Sequence, residues 1–197
     1  MGVTIHYRLR SEATDAEEAR NLVAQLRSRA LDLPFDQVDD MIELTGDECH
    51  FQQHDDQYPH RWLLIQVQQL VPDPREPARR YDVTPEHVIA FSCSPGPRCE
   101  QANLGLCRYP ATIEIGNWVS RTIPTNLDHW HWGSFCKTHY ARNRENGGAR
   151  NFRRCHLAVL DLLQRAQSLG ILHEVYDEAG YWQSRQILAQ ALGLVTV

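Results

Sequence analysis

The chain is expected to adopt an α+β fold, a mainly antiparallel sheet with about three helices packed on it. Short runs of alternating apolar residues recur through the middle of the sequence, and a long stretch of helical spacing lies near the C-terminal end. The resulting order, β-α-β-β-β-β-β-α-β-α, suits an antiparallel sheet rather than a doubly wound one.

Val3, Ile5, Tyr7 and Leu9 alternate with Thr4, His6, Arg8 and Arg10, the period of a half-buried strand. Thr14 and Glu17 have capping-box spacing, and Ala19, Leu22, Val23, Leu26 and Ala30 then line one helical face. A short strand is expected from Met41 to Leu44 and a longer one from Trp62 to Val71. Between them residues 46–61 form a polar excursion, too rich in His, Asp and Gln for a core. Prolines at 72, 74, 77 and 85 make residues 72–86 a loop, because each lacks a donor N–H and fixes its own φ. Strands are expected at 87–93, 111–115, 118–123 and 129–140. Phe152, Cys155, His156, Val159, Leu160, Leu163 and Ala166 predict a helix over 149–169, with Gly170 supplying the left-handed residue that ends it. A strand over 171–176 and a helix over 181–192 complete one α+β domain spanning 1–197.

The 197 residues, 42% of them hydrophobic, suffice to bury a core without disulfides or metal. A net charge of −5 argues against a nucleic-acid partner, which needs excess positive charge. No apolar run reaches the ~20 residues that span a bilayer, so no membrane partner is expected. Six cysteines without a signal peptide read as reduced thiols or metal ligands of a cytoplasmic protein.

Four strings, Cys99 to Pro110, Phe135 to Ala141, Asn151 to Leu157 and Asp177 to Trp182, together with the opening Met1 to His6, resemble a family of uncharacterised bacterial proteins. Residues 30–90 are largely unmatched. The resemblance implies a bacterial, cytoplasmic protein and supplies no catalytic assignment. Similar proteins carry Gln at the position of His139 and Gly at that of Ala179, which weighs against a role for the His139 imidazole.

Lys137 is the one lysine beside nineteen arginines. Of the two cations only an amine readily loses its proton or forms a Schiff base, so Lys137 is a candidate catalytic residue. On a strand it shares a face with His129, His131, Phe135 and His139, while Trp130, Trp132, Ser134, Cys136, Thr138 and Tyr140 face the other way. Glu178, beside Asp177 at a strand-to-helix turn, is a second catalytic candidate, with Tyr181 and Trp182 as ligand contacts and Asp177 as a helix cap. Gly148 and Arg150, Arg153 and Arg154 open the long helix, where unpaired N–H groups and guanidiniums suit a bound anion. A zinc reading joins Cys99, Cys107, Cys136 and His139, with Cys93 as a substitute. His50 and His54 form a weaker pair beside Cys49, Asp55, Asp56 and His60.

The expected function is binding of a small anionic molecule, with or without catalysis, at a pocket formed by Lys137 and the N-terminus of the 149–169 helix. The alternative is a non-catalytic module, zinc-stabilised or not, in which Trp118, Trp130 and Trp132 build a partner surface or a homo-oligomer interface.

Overall fold

Alternation along the first strand decides which sheet face meets the helices. The computed structural model describes residues 3–50, 58–116 and 120–191. In β1 (Thr4–Ser11), Ile5, Tyr7 and Leu9 are buried while His6 and Arg8 are exposed. α1 (Ala16–Leu31) follows. Its cap is Asp15, one residue later than the sequence suggests: Asp15 accepts from Glu18 N at 2.9 Å, and Glu18 reaches back to Thr14 N at 2.9 Å. Ala19, Val23, Leu26 and Ala30 form its buried face, as the spacing predicts.

β2 (Gln37–Val38) and β3 (Ile42–Thr45) lead to a 3-10 turn over Gly46–Cys49. The polar excursion is not wholly solvated, because Cys49 is buried and donates to Leu44 O. The strand expected from Trp62 to Val71 divides into α2 (Arg61–Gln66) and β4 (Gln69–Pro72). Leu63, Leu64 and Val67 are buried at helical spacing, whereas Trp62 points to solvent. The Pro-rich loop also contains β5 (Arg80–Val83), which pairs with β4 around a turn that absorbs Pro74 and Pro77.

β6 (His87–Ser94) lies where it is expected, but β7 (Ala102–Arg108) is a strand the alternation does not reveal. β8 (Thr112–Ile115) pairs with β9 (Arg121–Pro124), and β10 (Trp130–Lys137) stops short of residue 140, because His139–Arg142 forms a 3-10 turn. α3 (Gly148–Ser168), β11 (Leu172–Asp177) and α4 (Tyr181–Ala191) follow the predicted order, with Gly170 at φ +75° after α3. The described residues thus hold four helices rather than three.

The main sheet runs β11-β1-β10-β7-β6-β2, with β3 also on β6, and every pairing in it is antiparallel. α1 packs against α3, β6 and β7, and α3 against β11. Leu160 and Leu163 of α3 are fully buried, a contribution of roughly 1.5–3 kcal/mol each. Trp130 and Trp132 sit in the same core at 1% exposure, so they build no surface for a partner; Trp118 lies outside the described residues.

Candidate functional site

The sheet parts between β10 and β7. Only His131↔Cys107 is in register, and the buried Asn103 carbonyl is satisfied by side chains instead, accepting from Tyr7 Oη and Trp132 Nε1, each at 2.8 Å. Gln66, at the end of α2, fills the gap. Its Oε1 accepts from Asn103 Nδ2 at 2.8 Å and Ser134 Oγ at 2.9 Å, while Ser92 Oγ donates to Asn103 Oδ1 at 2.7 Å. A satisfied polar network of this kind fixes one arrangement of α2 on the sheet.

Beside it, β11, β1 and β10 carry a groove on the face away from α3. The register forms cross-strand rows: Tyr176, His6 and Phe135, then Glu174, Arg8 and Gly133, then Arg10 and His131. In the first row the His6 ring lies 6.0 Å from Phe135 and 6.1 Å from Tyr176. A bulge between Arg8 and Leu9 brings His173 to the third row. Gly133 contributes no side chain, so the middle of the floor is low. Two cavities of about 340 and 250 Å³ meet there, sharing Arg8, Gln69 and Gly133.

The smaller cavity is lined by Arg8, Arg10, His131 and His173, with Gln69 and Leu127 among its walls. His131 Nε2 and Arg10 Nε are closed off from solvent and have no hydrogen-bond partner among the described residues. Burial, then the charges of Arg10, His129 and His173, hold the His131 pKa below its ordinary value of 6.5. Glu12 answers part of this charge, with Arg10 at 3.2 Å and His129 at 2.8 Å, and Glu174 sits 3.6 Å from Arg8. The cavity itself gathers cationic and imidazole groups.

Among the described residues, Lys137 and Arg154 of the α3 N-terminus each have partners of their own. Lys137 follows Phe135 on the groove face, its ammonium 3.4 Å from Glu100 Oε1 and 5.3 Å from the Phe135 ring centre. Arg150, Arg153 and Arg154 line a separate shallow cleft with Ala149 and Leu157. Arg154 is engaged elsewhere, donating to Pro34 O at 3.0 Å and Asp36 Oδ1 at 3.1 Å. Gly148 begins α3 with φ +64°. Glu178 accepts from Thr4 N at 2.9 Å and stands 3.9 Å from His6 Nε2, so it braces the end of β1 next to the groove. Trp182 is buried in the core and Tyr181 packs 5.5 Å from the His156 ring, which makes both packing residues rather than ligand contacts.

The zinc set is scattered. Cys107 packs near Cys49 and Tyr109, Cys136 Sγ donates to Glu100 O at 3.2 Å, Cys99 packs against the cluster of Ala141, Phe152 and Cys155, and His139 lies beyond the strand in a 3-10 turn. Among the described residues no three His, Cys, Asp or Glu side chains converge on a metal position. Burial pushes the thiols of Cys49, Cys93, Cys107 and Cys136 up, to about 11 for Cys49 and about 12 for Cys93, so they pack as small apolar groups. Cys49 and His50 precede residues 51–57, so the pairing with His54, Asp55 and Asp56 lies outside the described residues; His60 stacks edge-on against Tyr58.

A hydroxyl–imidazole–carboxylate series also appears. Thr138 Oγ1 lies 2.8 Å from His156 Nδ1, and His156 Nε2 lies 3.0 Å from Asp177 Oδ1. It has the order of a nucleophilic triad, yet Thr138 and His156 are at 0% exposure, so no substrate reaches the hydroxyl. Asp177 also accepts from Ala179 N at 2.8 Å and from Trp182 N at 3.0 Å, capping α4 as expected.

Fold and groove together define an α+β protein with a basic, partly aromatic groove on the uncovered part of an antiparallel sheet. No family model, curated protein or solved structure matches the chain. Among the described residues no helix is long and apolar enough to cross a membrane.

Proposed function

We propose that the protein binds a small organic anion in the groove on β11, β1 and β10. The anionic group occupies the cavity beside Arg8, Arg10, His131 and His173, and a planar portion lies along His6, Phe135 and Tyr176. One observation carries this reading: Arg8, Arg10, His131 and His173 line one cavity whose lining holds no carboxylate. Guanidinium and imidazole groups lining one cavity offer charge-assisted hydrogen bonds to an anionic oxygen. The larger cavity, about 340 Å³, has the volume of a small-molecule site, and the adjoining one of about 250 Å³ extends it. The rings offer a flat apolar surface next to the charge.

The test compares phenyl phosphate with inorganic phosphate by thermal shift and calorimetry. Phenyl phosphate is expected to raise the unfolding midpoint more than inorganic phosphate does. Gly133→Val fills the floor, and its Cβ would meet only Gln69 Nε2 at 3.9 Å, so the fold tolerates the change. That variant and Arg8→Gln should lose the shift while keeping the unliganded midpoint. Lys137→Arg should keep both, because its partner is the half-exposed Glu100. Undiminished binding in Gly133→Val would remove the groove from consideration.

A further inference from the structure

We infer that the ligand of the groove is a nucleoside 5′-monophosphate, an inference that rests on the anion-binding reading above and names its substrate class. The chemistry of the groove changes along the strands in the order in which a nucleotide carries its parts. The first row presents the rings of Tyr176, His6 and Phe135, the second places the Glu174 carboxylate beside Arg8, and the third belongs to Arg10 and His131. The bare Gly133 floor joins the cavity of the rings to the cavity of the cations.

A row of rings accepts any flat group, but two carboxamides on the wall ask for more. Gln66 and Gln69 both line the larger cavity. Gln66 Oε1 is taken by Asn103 Nδ2 at 2.8 Å and Ser134 Oγ at 2.9 Å, so this amide leaves its nitrogen, a donor, for a ligand. Ser92 Oγ donates to Asn103 Oδ1 at 2.7 Å, which fixes the Asn103 amide and through it that of Gln66. Gln69 Nε2 stands 3.9 Å from the place a Cβ would take on Gly133, so it overhangs the floor between rings and cations. Stacking uses a π-face, whereas amide donors reward a ring edge bearing carbonyl oxygens or ring nitrogens. A nucleobase has both, and a phenyl ring has only the face.

Glu174 lines the larger cavity and is absent from the lining of the smaller one. Its Oε2 stands 3.6 Å from Arg8 Nη1, and its side chain is exposed, so lone pairs remain for a further donor. A carboxylate accepts from sugar hydroxyls and repels a phosphate. It therefore suits the ribose and directs the phosphate on to the cavity of Arg10, His131 and His173, where charge-assisted bonds are on offer. Arg8 lines both cavities and meets the phosphate from the ribose side.

The experiment titrates the full chain by calorimetry with the 5′-monophosphates of uridine, cytidine, adenosine and guanosine, with phenyl phosphate and with ribose 5-phosphate. At least one nucleotide is expected to bind about tenfold more tightly than either of the last two, the worth of one added hydrogen bond. Gln69→Leu should abolish that advantage and leave the affinity for phenyl phosphate unchanged; the backbone pairing of Gln69 with Val83 does not involve the side chain. The 2′,3′-dideoxy form of the preferred nucleotide should bind more weakly than the nucleotide itself, and Glu174→Ala should erase that difference. Phenyl phosphate binding as tightly as every nucleotide would overturn the nucleotide assignment and leave the anion groove standing, whereas no binding by any of these ligands would remove both. A 5′-phosphorylated oligouridylate that binds more tightly than each mononucleotide would also overturn it, giving the groove to a strand.

Discussion

His156 Nε2 stands 3.0 Å from Asp177 Oδ1 with both side chains closed off from solvent, joining the middle of α3 to the end of β11. The two ring nitrogens of His156 bridge the Thr138 hydroxyl and the Asp177 carboxylate, so each has a hydrogen-bond partner. Burial would raise the Asp177 pKa, but the bonds from His156, Trp182 and Ala179 outweigh it and hold the carboxyl below 3.8. His156→Ala should cost about 3 kcal/mol in denaturant unfolding, since it strands a buried carboxylate. The folded pKa lies below the unfolded one, so the contribution of Asp177 is complete above the unfolded value and is lost as pH falls through the folded value. Asp177→Asn should remove that part of the acid sensitivity.

Gly105 is paired with Ala90 at the centre of the sheet, and a Cβ there would lie 2.3 Å from Ile89 O and 2.8 Å from Ala90 Cα. Those atoms are backbone and cannot swing aside. Gly105→Ala should therefore destabilise by about 1–3 kcal/mol or more, read from the urea midpoint. An unchanged midpoint would mean that β6 and β7 pair less closely than described.

The same glycine explains why β7 is hard to read from sequence. The run ANLGLCR is buried from Ala102 to Cys107 on both faces, so it lacks alternation, and Asn103 and Gly105 are poor strand formers. Its Asn is present for Gln66 and Ser92, residues remote in sequence. By contrast β1, α3 and the two faces of β10 are legible, because each buries one face only. The groove is half legible. His6, Arg8 and Arg10 are visible as the polar face of β1, and His131 as that of β10, but nothing local says that β1 lies between β10 and β11. The partners of Lys137 and Arg154 are hidden for the same reason, since Glu100 and Asp36 reach them from distant segments.

Asp73 and Arg121 connect the β4–β5 hairpin to the β8–β9 hairpin. The Asp73 side chain is nearly inaccessible, and both its oxygens receive guanidinium nitrogens. The Arg121 bonds, followed by Arg75 N, lower its pKa to about 2. With a depressed folded value, its stabilisation is present above pH 3.8 and disappears as pH falls towards about 2. Arg121→Gln should lower the thermal midpoint at neutral pH and flatten the acid limb of the stability curve. Hydrogen exchange in the β8–β9 amides should accelerate, because that hairpin has lost its tie to β4 and β5.

His131 provides the sharpest check on the groove. Burial and nearby cationic groups keep its folded pKa below 6.5, so near neutral pH the unliganded ring is mostly uncharged. An anion seated in the cavity that His131 lines reverses that balance, favours the protonated ring and raises its pKa. Binding then takes up protons, by linkage up to about one per site, and affinity strengthens as pH falls from 7.5 towards about 6. Calorimetry of phenyl phosphate in buffers of different ionisation enthalpy measures this uptake directly. In His131→Gln the uptake should vanish along with most of the pH dependence, while the neutral amide retains a donor for the ligand. Uptake that persists in the variant would place the responsive proton on His6 or His173, and with it the anion at another part of the groove.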